Sequence, residues 1–128
     1  MDYRSKLISL GMIALLWGCT SRSLPAADCN ADSGPCAKGA VTFGITPRPV
    51  AAMRELTFTV NAPAADMVDL SMPGMDMGVN RVPLLKAAMD QYQGRGVIVR
   101  CPSGATLWRA AVYNGDSLIA EYYFDVRR

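Results

Sequence analysis

The stretch DLSMPGMDMGVN, Asp69 to Asn80, carries three methionines, one proline and two glycines, and with Met67 it gathers four of the chain's eight methionines between residues 67 and 77. A thioether is an uncharged, soft donor that keeps its lone pair at any pH, so a cluster of them selects Cu(I) over hard cations or zinc. Methionine more commonly fills gaps in a core. That reading has force for Met72, which continues the stripe of Val68 and Leu70, while Met67 is expected to face outward with Asp69. Met75 and Met77 differ, because they follow Pro73-Gly74, precede Gly78 and alternate with Asp76. A turn there would hold both sulfurs on one side. Asp76 is a poor ligand for a soft ion and is expected to orient the turn or face solvent. The candidate third donor is Cys101, at the end of GVIVRC and just before Pro102-Ser103-Gly104, where a second loop could meet it. It reads equally well as a buried cysteine continuing a Val97 and Val99 face. The candidate metal ligands are therefore Met75, Met77, Met72 and Cys101, and the ion they suit is Cu(I).

The chain has no histidine. That removes Ser-His-Asp and Cys-His machinery, the usual near-neutral general base, and His-built zinc or copper(II) sites. Asp69, Asp76, Asp90 and Asp116 form no recognisable acid and base pair, and no glycine-rich phosphate loop is present. Cys29 and Cys36 are too far apart for the C-x-x-C spacing of a redox motif. No enzyme is expected. The formal charge of +2, which falls to about +1 when Asp2, Arg4 and Lys6 leave with a signal peptide, implies neither a nucleic-acid partner nor an acidic surface.

Arg4 and Lys6 precede the uncharged run LISLGMIALLW, which is shorter than the roughly 20 residues a membrane-spanning helix needs. Residues 1–18 read as a signal peptide. The run ends in Gly18-Cys19, and a cysteine directly after a small residue resembles the lipobox of bacterial lipoproteins, which implies that Cys19 is acylated after cleavage. Thr20 and Ser21 follow it, with no aspartate of the inner-membrane retention kind. The expected address is thus the periplasmic side of a membrane, the outer one favoured, with the chain anchored by lipid. About 110 residues then remain, enough for one domain.

Residues 19–38 are rich in Ser, Ala, Asp, Pro and Gly without apolar period, and are expected to form a flexible tether. Within it, CNADSGPC places Cys29 and Cys36 around turn-forming residues. A small local disulfide is expected, the rival being a bridge from either cysteine to Cys101.

Residues 39–128 show the two-residue period of strands. Val41, Phe43 and Ile45 alternate with Thr42 and Gly44, and Leu56, Phe58 and Val60 with Thr57 and Thr59. Val68, Leu70 and Met72 follow, then Val82 and Leu84, GVIVRC from Gly96, LWRAAVY from Leu107 and EYYFDV from Glu121. About seven short strands punctuated by Gly, Pro, Asn, Asp and Ser predict an all-β, immunoglobulin-like antiparallel sandwich. Alternation places Val41, Phe43, Ile45, Leu56, Phe58, Val60, Val68, Leu70, Trp108, Ala110, Val112, Tyr122, Phe124 and Val126 inward. Residues 83–92 fit either a strand or a short helix, because Pro83 suits a first helical turn and Leu85, Ala88, Met89 and Tyr92 have helical spacing.

The order of a strand, MPGMDMG, VPL, a Gly-flanked Tyr92, GVIV, and the strand from Gly104 to Trp108 resembles the YtkA-like (FixH-type) periplasmic domain over residues 40 to 126. The resemblance implies an immunoglobulin-like sandwich linked to copper handling or cytochrome oxidase assembly, with a metallochaperone or oxidase-assembly partner. Met72, Met75 and Met77 match that family's methionine turn. The histidine that often accompanies such turns is absent, and Cys101-Pro102 stands where a methionine is expected, which shifts the donor set toward Cys101. The competing expectation is a structural or partner-binding lipoprotein that uses the methionine turn as an adaptable contact surface.

Overall fold

A computed structural model describes residues 24–127. In chain order the strands are β1 (Cys36–Lys38), β2 (Val41–Thr46), β3 (Glu55–Asn61), β4 (Met67–Ser71), β5 (Arg81–Pro83), β6 (Leu85–Ala88), β7 (Gln91–Val97), β8 (Leu107–Asn114) and β9 (Ser117–Asp125). They form two antiparallel sheets, a five-stranded one in the order β1-β2-β3-β7-β6 and a four-stranded one in the order β5-β4-β8-β9. Within them, β2-β3-β7-β6 and β4-β8-β9 reproduce the ABED and CFG orders of the immunoglobulin sandwich.

The alternation of apolar side chains decides what lies between the sheets. All fourteen residues expected to point inward are buried, and Trp108, Tyr122, Phe43, Phe58 and Phe124 are the largest among the fully enclosed ones. Phe43 anchors an aromatic cluster, with ring centroids 5.0 Å from Tyr122, 6.0 Å from Phe124 and 6.3 Å from Phe58. Tyr122 satisfies its buried hydroxyl by donating to the Val41 carbonyl at 2.9 Å. Every core side chain lies between Cys29 and Val126. Among the described residues this span carries the whole core.

Nine strands replace the expected seven, and the two additions have separate causes. Residues 83–92 are not helical. Pro83 ends β5, and the rest make a hairpin of β6 and β7 that turns at Met89-Asp90, with Asp90 at φ 54°. A helix there would need a face to bury, yet Leu85 and Met89 are exposed, so pairing with β7 satisfies the backbone at no loss of apolar burial.

The second addition is β1, which falls inside the expected tether of residues 19–38. From Asp28 onward this segment is built into the sandwich rather than free of it. The Asp28 and Cys29 N–H groups both donate to the Tyr123 carbonyl, at 2.9 and 3.0 Å, and the Tyr123 N–H returns a bond to Asp28 Oδ1 at 2.8 Å. Lys38 forms an ion pair with Asp28, donates to the Glu121 carbonyl at 2.6 Å and lies 5.2 Å from the Tyr122 ring centroid. Asp32 accepts from the Val50 N–H at 2.7 Å, and Cys29 and Ala31 are buried. The segment clasps the edge strands of both sheets. Cys29 and Cys36 form the local disulfide, with Cα atoms 5.7 Å apart. The expected signal peptide and Cys19 lie outside the described residues.

The stretch read as a strand from Gly96 to Cys101 is displaced. The pairing segment is Gln91–Val97, Val97 and Val99 are exposed, and Ile98 between them is the buried one. Gly94 and Gly96 supply the inward positions of β7 beneath β5.

Because neighbouring strands run antiparallel, the loops gather at two ends. The first end holds residues 47–54, 72–80, 98–106 and 126–127, and the second holds 39–40, 62–66, 89–90 and 115–116. The described chain enters at the first end, where Leu24 lies over Gly74.

Candidate metal centre

Two tight turns at the first end build the site. Met72-Pro73-Gly74-Met75 closes with the Met75 N–H donating to the Met72 carbonyl at 3.1 Å, and Gly74 sits at φ 76°. Proline at the second place and a left-handed glycine at the third define a type II turn. Met72 and Met75 face each other as an antiparallel bridge, so their side chains share one face. Asp76 Oδ1 accepts from the Gly78 N–H at 3.1 Å and shapes the next bend, the orienting role expected of it.

The second turn is Cys101-Pro102-Ser103-Gly104. Its Gly104 N–H donates to the Cys101 carbonyl at 3.0 Å, and the Ala105 N–H donates to Ser103 Oγ at 3.3 Å. Proline in second place and glycine in fourth favour a type I turn.

These turns bring their sulfurs together. The Cys101 thiol points at Met75 Sδ, 3.5 Å away, across a separation of 26 residues. Ser103 Oγ lies 3.0 Å from Cys101 Sγ and 3.7 Å from Met75 Sδ, completing a small triangle. Cys101 is 5% exposed and Met75 is 37% exposed, so one sulfur is sheltered and the other opens to solvent. Cys101 stands outside the Cys29–Cys36 disulfide.

The other methionines divide as their neighbours dictate. Met72 is 3% exposed and belongs to the core, the place its stripe foretold. Met77 is half-buried and packs against the core cluster. Met67, half-buried at the start of β4, sits at the second end with Asp66 and Gly115, so density in sequence is not density in space. Of the four proposed ligands, Met75 and Cys101 are the pair brought into contact. Ser103 escaped the sequence reading, although its place in CPSG, two residues beyond the cysteine, was the signal that it could reach the thiol.

Two sulfurs bound to one soft ion at about 2.3 Å each can stand at most about 4.6 Å apart. The 3.5 Å separation therefore lies within reach of a shared ion, and a thioether with three rotatable bonds can adjust around one. The donor chemistry fits Cu(I) as well: one thiol, one thioether and no imidazole. Among the described residues no three Cys, Asp or Glu side chains group as ligands.

No family model, no curated protein and no solved structure matches this chain.

Proposed function

We propose that this domain binds a soft metal ion, Cu(I), through Cys101 and Met75, with Met77 of the same loop as a reserve donor, and serves in copper handling or oxidase assembly. The observation that carries the reading is the contact between Met75 Sδ and Cys101 Sγ at 3.5 Å, made by two loops that share no sequence neighbourhood. When bound, the ion would be held by a thiolate and a thioether, ligands that favour the cuprous state. Met72 serves differently: it roots the turn in the core, so that Met75 is held by a fixed backbone. Lipid anchoring at Cys19 and a periplasmic address accompany this reading, and the Cys29–Cys36 bridge supports it, since disulfides persist in oxidising compartments. The resemblance to YtkA-like (FixH-type) domains points the same way and implies a metallochaperone or oxidase-assembly partner.

The test is an anaerobic titration of the chain from Thr20 to Arg128 with Cu(I) against a competing chelator. One equivalent should bind, and Met75→Leu with Cys101→Ser should abolish binding while leaving the melting temperature near that of the parent. Undiminished binding in the double variant removes the proposal.

A second reading is favoured by Val79, which is 79% exposed beside the methionine turn. There, Met75 and Val79 would form part of a contact surface for a protein partner. Partner capture that is indifferent to copper and lost in Val79→Asp would favour it.

A further inference from the structure

The first end of the sandwich differs from the second in both charge and hydrophobicity. Nine large apolar side chains stand exposed among the described residues, and six of them, Leu24, Met53, Met75, Val79, Val97 and Val99, lie at or beside the first end. Val79 adjoins Asn80, whose side chain donates to the Val97 carbonyl at 3.1 Å, and the Met53 N–H donates to the Ile98 carbonyl at 2.8 Å. Those bonds tie the three loops into one surface.

Charge follows the same division. Arg48, Arg54, Arg100 and Arg127 are exposed at the first end, against Asp32, Asp76 and Asp125, and Arg127 stands 4.0 Å from Asp32, while Arg81 at the start of β5 is matched by Asp69 opposite it on β4. Arg95 and Glu55, near the same end, pair at 3.5 Å and cancel. The loops of the second end carry Asp66, Asp90 and Asp116 and no Lys or Arg, with the exposed Lys86 standing near them on β6. The loops are thus polarised along the strands, with a small excess of Arg and most of the exposed large apolar side chains at one end and an excess of Asp at the other.

We infer that the first end docks on an anionic lipid surface. Exposed apolar side chains reach the acyl boundary while arginine heads meet phosphate, the combination that holds proteins at a membrane interface. The acidic second end is repelled by the same surface and sets the orientation. The chain outside the described residues leads the same way. Leu24 lies at the first end, and the five residues back to Cys19 span at most about 18 Å. An anchor at Cys19 would hold this end, and not the other, toward the bilayer. If Met75 and Cys101 carry a metal, they exchange it within the membrane plane. The docking itself needs neither the metal nor the anchor.

The test uses the chain from Thr20 to Arg128, which contains every core residue described and lacks Cys19, so the result is independent of acylation and of copper. It should sediment with phosphatidylcholine vesicles containing phosphatidylglycerol at low ionic strength, and be released as salt rises. Arg54→Gln with Arg100→Gln should weaken this binding roughly 30-fold. Brominated acyl chains should quench Val79→Trp and leave Asp116→Trp unchanged. Equal binding to vesicles of phosphatidylcholine alone, absence of binding at low salt, or quenching of Asp116→Trp instead would each overturn the inference. So would retention on heparin with no vesicle binding, which would assign the basic end to a soluble polyanion.

Discussion

Gly94 on β7 lies so close to β5 that a Cβ added to it would stand 2.2 Å from the Pro83 carbonyl oxygen and 2.8 Å from Val82 Cγ1. The first of these neighbours is backbone and cannot rotate away. Gly96 meets a side chain instead of backbone, with Val82 Cγ2 at 2.7 Å, so relief there needs a shift of that buried, β-branched valine. Gly94→Ala is therefore expected to cost about 3 kcal/mol, and Gly96→Ala about 1–2 kcal/mol, by overpacking. In a domain of this size the first should lower the melting temperature by more than about 10 °C. A Gly94→Ala protein that melts with the parent would show that the sheets are not held this closely.

The consequence reaches the sulfur pair, because β5 takes the chain directly from the methionine turn and pairs Arg81 with Asp69 of β4. At the turn itself Gly74 adopts φ 76°, while a Cβ there would meet Leu24 Cδ2 at an ordinary 3.4 Å. Space is not the obstacle, and conformation is. Gly74→Ala should cost about 1–2 kcal/mol in stability, and Gly74→Asn less, since asparagine tolerates the left-handed region. Cu(I) affinity should fall in the same order, read by chelator competition. If alanine leaves affinity unchanged, the type II turn is not what presents Met75.

How much of this was legible in sequence depended on whether a residue's burial leaves a mark in its type. Strands β2, β3, β4, β8 and β9 were legible because one face of each is apolar and the other polar, and every residue assigned inward from that pattern is buried. Strand β7 was misplaced toward Val97 and Val99 because its true inward positions are Gly94 and Gly96, and a glycine carries no hydrophobic signal. The clasp from Asp28 to Lys38 reads as a tether because it holds on through backbone bonds, two ion pairs and a disulfide, none of which produces periodicity. At the site, Pro73-Gly74 announced a turn and the Val68, Leu70 stripe announced the burial of Met72. The meeting of Met75 with Cys101 was reachable only as a guess about donors, since it depends on how two loops converge at one end of the sandwich.

Acid should loosen the clasp before it unfolds the core. Partial burial pushes the Asp28 carboxyl up, but the Lys38 ammonium and the Tyr123 N–H outweigh it and leave its pKa below the usual carboxylate value. A carboxylate depressed in the folded state binds fewer protons there than when unfolded. Its contribution is therefore present above about pH 4 and is lost as pH falls through the folded value. The side chain is 39% exposed, so solvent screening keeps the effect small. Asp28→Asn should lower stability at pH 7 and flatten its decline below pH 4, followed by chemical denaturation across that range. Parallel acid limbs for parent and variant would remove Asp28 from the account.

The pH dependence of metal affinity provides the last prediction, and it separates the two sulfurs. A thioether has no proton to lose, whereas a thiol binds a soft ion as thiolate, so binding must displace the Cys101 proton. Ordinary thiols ionise near pH 8.5, and below its own pKa a thiol ligand loses about tenfold in apparent affinity per pH unit. The parent should follow that slope. Met75→Leu should lower affinity at every pH and keep the slope, because the proton being displaced is unchanged. Cys101→Ser should lower affinity and remove the slope. Ser103→Ala should weaken binding and keep the slope, because the hydroxyl 3.0 Å from Cys101 Sγ can donate to the bound thiolate. A flat profile in the parent would mean that the thiolate takes no part in binding, and the paired site would be wrong even if copper binds elsewhere.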